Sequence, residues 1–201
     1  MPHSMQHAEH IDPPGKASME LTSVKPKANV KCNTSAKSAL VIAAVSAGRM
    51  MMWHYVPDGR WNGGAAVDMY TTHLKNALTN AWGGKRSFDV LEDNDPIGFK
   101  SGKGIRAKSA VGIMAFVIPK RSPELRVCDY AIWKEVNTRM RRQGLKRPKA
   151  KRESRKAYLG RMRRTAFRLS ADLINKSIAD MKRRCQRLYD AKGGFSEEGG
   201  H

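Results

Sequence analysis

Apolar stretches alternate with polar or glycine-rich breaks from residue 39 onward. Residues 39–45 form a continuous run of small and β-branched apolar side chains, which is typical of a strand buried on both faces. Residues 50–56 follow Gly48 closely enough to form a hairpin with that strand, and we expect their methionines to pack in the core. Apolar residues then recur every three or four positions over 65–81, which predicts an amphipathic helix.

Shorter elements complete the central part of the chain. The pattern predicts strands over 87–91 and 113–118 and helices over 103–111 and 129–142. The resulting order β-β-α-β-α-β-α is that of an α/β domain with a mixed sheet. Residues 155–189 contain no proline and carry one apolar stripe, which predicts one long helix or two helices joined near Ser170.

The charge distribution indicates a function for the predicted helical segment over 155–189. The 201 residues include 38 Lys and Arg against 18 Asp and Glu, a formal net charge of +20. Residues 139–192 alone hold 20 of the cations and 4 of the acids. Such a basic segment indicates a polyanionic partner, most often nucleic acid. The cations that we expect to contact nucleic acid are Lys100, Lys103, Arg141, Arg142, Lys146, Arg147, Lys149, Lys151, Arg152, Arg155, Arg161, Arg163 and Arg164.

Several classes of protein are excluded or disfavoured. The 3 cysteines lie far apart with no close pair, which argues against a disulfide scaffold and a zinc finger. No apolar run approaches the roughly 18 residues that a membrane span needs. His54 and His73 have no further histidine, cysteine or carboxylate at ligand spacing, so the sequence predicts no zinc site there.

The composition divides the chain into four segments. Residues 1–30 hold four prolines and few large apolar side chains, so we expect a disordered leader. Residues 31–143 form the α/β domain, 144–192 a basic helical arm that contacts DNA, and 193–201 a disordered tail.

Two carboxylates stand at positions where chemistry is often found. Asp93 comes directly after the strand over 87–91, and Asp129 begins the helix over 129–142. Each has an ordinary structural explanation on its own, as part of a turn or as a helix-start acid favoured by the macrodipole. Each is also a hard oxygen ligand of the kind that divalent cations prefer.

Taken together, these two regions resemble the second and third acidic boxes of mariner-type DDE/DDD transposases. Val-Leu-Glu-Asp-Asn-Asp-Pro over 90–96 is similar to one box, and Ser-Pro-Glu-Leu followed by Asp129 and Trp133 is similar to the other. The hairpin over 41–56 and the Trp-Asn-Gly sequence after it are similar to the segment between the first two acids. The resemblance covers residues 31–142.

The resemblance implies an RNase H-like fold in which a mixed sheet is flanked by helices. It further implies that Asp93 and Asp129 are catalytic and bind Mg²⁺ or Mn²⁺, and that the partner is DNA, at element ends and at the target. In a two-metal site such ions activate the attacking group and stabilise the leaving oxygen of a phosphoryl displacement. The resemblance is also compatible with a homodimer. It is compatible with a nuclear location if the source is a eukaryote and with a cytoplasmic location otherwise.

The sequence also departs from the family pattern. The family places a first acid on the opening strand of the sheet, and upstream of Lys31 the only acids are Glu9, Asp12 and Glu20. We therefore expect the first strand and its acid to be missing and catalysis to be impaired. Arg126 and Val127 stand where Asn-Pro is common, and Gly98-Phe99 where a histidine often stands.

These observations favour a transposase-type domain that binds DNA, in a truncated copy with weak catalysis. Two alternatives remain open at this point. The chain is then either a non-catalytic DNA-binding protein derived from such a transposase or a basic RNA-binding protein, although it carries no RRM-type aromatic motif.

Overall fold

A computed structural model describes residues 18–24, 39–56, 59–83, 87–119, 122–146 and 153–192, with the backbone alone for the first of these segments. The strands are β1 (Ser18–Val24), β2 (Val41–Ser46), β3 (Arg49–Tyr55), β4 (Phe88–Glu92) and β5 (Ile113–Val117). The helices are α1 (Gly63–Asp68), α2 (Lys75–Trp82), α3 (Gly102–Ala110), α4 (Trp133–Leu145), α5 (Arg155–Phe167) and α6 (Ala171–Asp190). The π-helical segment Met69–Leu74 joins α1 to α2, and the 3₁₀ turn Pro123–Leu125 and the π-helical segment Cys128–Ile132 precede α4. None of the helices within these residues is long and apolar enough to cross a membrane.

The five strands form one mixed sheet in the order β3-β2-β1-β4-β5. The strands β2 and β3 form the expected antiparallel hairpin, and β4 and β5 run parallel to each other. Every residue of β2 is buried, which confirms the prediction of a strand covered on both faces. The elements predicted from the apolar pattern are all present, within a few residues of the expected bounds.

The prediction of a disordered leader that lacks the first strand is wrong for Ser18–Val24. This segment is β1, the central strand, antiparallel to β2 and parallel to β4. Its backbone groups are hydrogen-bonded to a neighbour on each side, so the segment is ordered by its partners rather than by a long apolar run of its own. The rest of the predicted leader, and the predicted tail over 193–201, lie outside the described residues.

One face of the sheet is covered by α1, α2 and α3. The buried side chains of this layer include Tyr70 and Leu74 from the π-helical segment and Phe99 from the loop after β4, all with 0% exposure. Met52 belongs to this cluster, while Met50 packs on the opposite face, so the methionines fill the core as the sequence predicts.

The opposite face is covered by α4, α5 and α6. Met162 and Ala166 of α5 and Ile174 of α6 are buried against Trp53 of β3 and Trp133 of α4. The basic segment is therefore part of the same core as the sheet and not a detached arm. Its apolar stripe belongs to two helices, because the chain leaves helical geometry after Phe167 and Ser170 caps α6 by accepting from the Leu173 amide.

We predict that Ile174→Ala will destabilise the whole domain. Ile174 is fully buried between α6 and the sheet, and removing such a side chain leaves a cavity that costs about 2–5 kcal/mol. The free energy of unfolding from denaturant titration measures the loss. The control is Lys176→Ala on the exposed side of the same helix, for which we expect a change within about 0.5 kcal/mol. Equal values for the two variants would contradict the packing of α6 on the sheet.

Candidate functional site

Asp93 is the first residue after β4 at the carboxyl end of that strand. Its side chain is 24% exposed, so it lies at the edge of the core where a ligand can reach it. The Oδ1 atom accepts a hydrogen bond of 2.7 Å from the Asn94 amide, which fixes the carboxylate at the start of the loop. The strand end is the usual position of ligand-binding groups in α/β sheets.

Asp129 lies in the π-helical segment Cys128–Ile132 that leads into α4. Its side chain is 15% exposed, and its backbone amide donates to the Arg126 carbonyl at 2.8 Å. Trp133 begins α4 and packs against Trp53, which anchors this segment on the sheet. The helix predicted to begin at Asp129 is therefore present, with a π-helical segment from Cys128 leading into α4 at Trp133.

Arg126 brings the two carboxylates together. Its Nη1 atom lies 2.7 Å from Oδ2 of Asp93, and its Nε atom lies 2.7 Å from Oδ2 of Asp129. The arginine side chain is itself only 17% exposed. Two acids that are 36 residues apart in the chain thus meet on a single guanidinium group, whose planar fork suits contacts with carboxylates.

The electrostatics of the pair are set by burial and by this arginine. Burial raises the pKa of Asp129 to about 6, and the neighbouring Asp93 charge adds to the rise while Arg126 opposes it. The Oδ1 atom of Asp129 is buried and has no hydrogen-bond partner among the described residues. The other three carboxylate oxygens of the pair each contact a nitrogen of Asn94 or Arg126, so this atom alone is left over.

A buried cluster of charged and polar side chains lies next to Asp93, and the sequence did not reveal it. Glu92 is the last residue of β4 and has 0% exposure. Its two carboxylate oxygens accept from Lys108 Nζ and from the Tyr70 hydroxyl. Burial raises the pKa of Glu92, while Lys108 and Tyr70 act in the opposite direction. The one available signal was a glutamate at the end of a short strand, directly after Val90 and Leu91.

Asp95 organises the loop that follows Asp93. Its Oδ2 atom accepts hydrogen bonds of 2.7 Å from both Trp61 Nε1 and the Gly98 amide. A Cβ atom on Gly98 would lie 2.1 Å from the Trp61 ring, so glycine is required by this close approach. Gly98 and the buried Phe99 are therefore packing residues at the place where the family often has a histidine.

The register of the central strand β1 against β4 shows which β1 residues lie level with Asp93. Leu21 pairs with Glu92 in the parallel register, so Thr22 follows at the level of Asp93. Glu20 pairs with Leu91, two residues before Asp93. The strand expected to be missing is present, but the residue level with Asp93 is a threonine.

The predicted nucleic-acid contacts fall into three groups. Exposed positions hold Lys100, Lys103, Arg141, Arg142, Lys146, Arg155, Arg163 and Arg164. Arg147, Lys149, Lys151 and Arg152 lie outside the described residues. Arg161 differs from both groups, because its guanidinium binds Glu153 at 2.6 Å and donates to the Met140 carbonyl at 3.2 Å, which ties α5 to α4. The structure thus gives Arg161 a packing role, and its predicted phosphate contact stays a prediction.

Comparison with known proteins gives structural matches alone, since neither a family model nor a curated protein matches the sequence. The crystal structure of the catalytic domain of Mos1 mariner transposase matches with a TM-score of 0.68 and 12% identity, over 89% of this chain and 84% of that one. The Mos1 catalytic domain with Raltegravir and Mg matches with a TM-score of 0.70 and 11% identity, over 90% and 85% of the two chains. This chain has the fold of a mariner transposase catalytic domain.

The match confirms the RNase H-like α/β fold. The chain in the Mos1 Strand Transfer Complex is also similar, with a TM-score of 0.68 and 12% identity, and this chain spans 56% of its length. At such low identity the likeness establishes the mariner-type fold and leaves the roles of Asp93 and Asp129 as predictions.

The residues around Asp93 and Asp129, as they are arranged, do not fit a pair of divalent cations. Mg²⁺ prefers oxygen ligands, and the pair offers one buried oxygen without a hydrogen-bond partner among the described residues. The Arg126 guanidinium lies between the carboxylates and contributes a positive charge where cations would bind. The backbone register adds Thr22 and not a carboxylate at this level.

We predict that Lys108→Met will destabilise the protein strongly and that Glu92→Gln will rescue it. Lys108→Met leaves a buried glutamate without its cation, which costs about 3–5 kcal/mol. In the double variant the neutral amide introduced at position 92 still accepts from Tyr70, so we expect the loss to fall to about 1 kcal/mol. Denaturant unfolding of the four proteins in this cycle measures the coupling. Additive effects of the two substitutions would contradict a buried ion pair.

Proposed function

We propose that this protein binds duplex DNA through the cations of α4 and α5, and that Arg126 holds its carboxylate pair closed, so that strand cleavage is weak or absent. The observation that carries the proposal is the pair of 2.7 Å contacts between Arg126 and the two acids. A guanidinium cannot lose its proton in a protein, so the arrangement neutralises much of the charge that would attract a divalent cation.

The reason for weak catalysis differs from the one that the sequence suggested. The opening strand is present, so its absence does not explain impaired chemistry. An internal cation occupies the space between the acids instead, and a metal would have to displace a charge-assisted hydrogen bond to Asp93 and an ion-pair contact with Asp129 to enter. The position where the family pattern commonly has Asn carries this arginine, which links the departure in sequence to the change in chemistry.

The surface supports DNA as the partner. The apolar stripes of α5 and α6 are turned into the core, and most arginines and lysines of these helices, Arg163 and Arg164 among them, are exposed on the outward sides. Neutralising phosphates with such cations releases counterions, which gives strong and salt-dependent affinity with little sequence preference. Structures with the same fold are described as a strand transfer complex, a paired-end complex with the left transposon end and a pre-cleavage transpososome.

A second candidate function is an active metal-dependent transposase. The observation that favours it is the convergence of Asp93 and Asp129 at the carboxyl end of β4. Two of the similar structures are paired-end complexes described with Mn and with Mg. In this alternative, Arg126 moves away when DNA and metal bind, and Glu20 of β1 is the acid closest in register to serve as a third ligand.

We predict that the wild-type chain will show no Asp93-dependent nicking of supercoiled DNA with Mg²⁺ or Mn²⁺. We further expect Arg126→Gln to make the carboxylate pair accessible, so that Mn²⁺ stabilises this variant against thermal unfolding. A cation at 100 times its dissociation constant contributes about 2.7 kcal/mol. The wild-type protein should show a much smaller response to Mn²⁺ in the same melting experiment.

The matched control is Arg139→Gln, which breaks another arginine ion pair, at 2.7 Å to Glu135, without touching the carboxylate pair. Adding Asp93→Asn to Arg126→Gln should remove the Mn²⁺ response. Robust nicking by the wild-type chain that is abolished by Asp93→Asn and by Glu20→Gln would refute the closed-site proposal and establish the active alternative.

We predict that Arg164→Gln will reduce the salt dependence of DNA binding. Arg164 is exposed on α5, and loss of one phosphate contact lowers the slope of log K against log salt by about 0.9. Lys75→Gln on α2, the other helical layer, removes the same charge and should leave the slope unchanged. Fluorescence anisotropy over a salt series measures both. A steeper slope and tighter binding with structured RNA than with duplex DNA would favour the RNA-binding alternative.

A further inference from the structure

A cluster of histidine and aspartate side chains lies between β3 and the helical layer that contains α1, away from the carboxylate pair. One ring nitrogen from each of His54 and His73 and one carboxylate oxygen of Asp68 lie within 4.8 Å of one another. His54 belongs to β3, which is the edge strand of the sheet, while Asp68 ends α1 and His73 lies in the π-helical segment. The sequence spacing predicted no such group.

The π-helical geometry of Met69–Leu74 explains why the spacing of Asp68 and His73 in the sequence did not predict this cluster. A π-helix bonds residue i to residue i+5, so side chains five positions apart lie one above the other. In an α-helix of 3.6 residues per turn, the same two positions would lie on different sides. Asp68 and His73 are five positions apart, and His73 Nε2 lies 3.4 Å from Oδ2 of Asp68.

His54 supplies the observation that points to a ligand. Its side chain is 8% exposed, and its Nε2 atom is buried without a hydrogen-bond partner among the described residues. Leaving a buried polar group unsatisfied costs about 1–3 kcal/mol, so this nitrogen calls for a partner that the described residues do not supply.

The two imidazole rings are close together and stacked, and because each ring nitrogen binds a metal in the plane of its ring, His73 has to rotate for both to bind one cation. Their centroids are 4.0 Å apart and their planes are inclined by 34°. In a tetrahedral zinc site with Zn–N bonds of about 2.0–2.1 Å, neighbouring ligand atoms are about 3.3 Å apart. His73 and Asp68 are 43% and 53% exposed, so rotation of these two side chains can close the remaining distance without disturbing the core.

We propose that His54, Asp68 and His73 bind one Zn²⁺-class cation, with water as the fourth ligand. Two imidazoles and one carboxylate suit zinc and its first-row neighbours, whereas Mg²⁺ prefers a set made of oxygens alone. Three strand-to-strand steps, through β2 and β1 to β4, lead from β3 to Asp93, a distance of about 14 Å at about 4.8 Å per step. The site is therefore separate from the carboxylate pair.

The bound cation would fasten an edge strand to the helical layer. It would also fix the π-helical segment that carries Tyr70, whose hydroxyl donates to Glu92 next to Asp93. The proposal does not depend on whether the protein cleaves or binds DNA, because its ligands belong to neither surface.

The experiment uses the full chain after treatment with a chelator, and Zn²⁺ alone or Co²⁺ alone as the probe. We expect Zn²⁺ to raise the melting temperature, and Co²⁺ to give the visible absorption of a tetrahedral site. His73→Asn and Asp68→Asn alter half-exposed side chains, so both variants should fold. Each should weaken Zn²⁺ binding at least about 10-fold.

Two controls separate this site from other metal-binding groups. The double variant His7→Asn, His10→Asn removes histidines outside the described residues, and Asp93→Asn alters the carboxylate pair. Both should keep the full Zn²⁺ response, and Mg²⁺ should give none. The proposal is overturned if His73→Asn binds Zn²⁺ as tightly as the wild-type chain, if the response is lost in the variant that lacks His7 and His10, or if the wild-type melting temperature does not change with Zn²⁺.

Discussion

The Arg126 guanidinium between Asp93 and Asp129 is the contact on which the arrangement of the site depends. Both acids are mostly buried, and two carboxylates this close repel each other and lose hydration unless a cation accompanies them. Arg126 provides that cation from within the chain, and its backbone carbonyl also accepts from the Asp129 amide. It therefore connects the end of β4 to the start of α4, and any ligand that needs the acids must first break this connection.

Much of the fold could be predicted from the sequence, because the strands after β1 are short apolar runs that polar or glycine-containing breaks separate. The strand β2, which is buried at every position, is the clearest case. The central strand β1 was missed because Met19 and Leu21 alternate with Glu20 and Thr22 and prolines flank the segment. Its order comes from hydrogen bonds to β2 and β4, which lie well beyond it in the chain, and a local pattern carries no trace of them.

The site was only half predictable for a related reason. The resemblance to the family identified Asp93 and Asp129 by their positions after a strand and before a helix, and the structure brings them together. It also marked Arg126 as a departure from the family pattern. The turn before α4 brings this side chain to both acids, and the residues next to it in the sequence do not predict that contact. The same holds for Asp68 and His73, since a π-helical turn is set by packing and leaves no regular sequence period.

The internal pairing of acids has a consequence for the outer surface. Glu92 is paired with Lys108, Asp93 and Asp129 with Arg126, and Glu153 with Arg161, so these acids neutralise cations inside the protein. The chain keeps a net charge of +20, and among the described residues many of the arginines and lysines are exposed. Because α4 and α5 also bury Met140 and Met162 in the core, the proposed DNA-binding surface and the core that stabilises the fold are built from the same two helices. The proposed affinity for DNA would therefore depend on the packing of these helices on the sheet and not on a metal between the two acids.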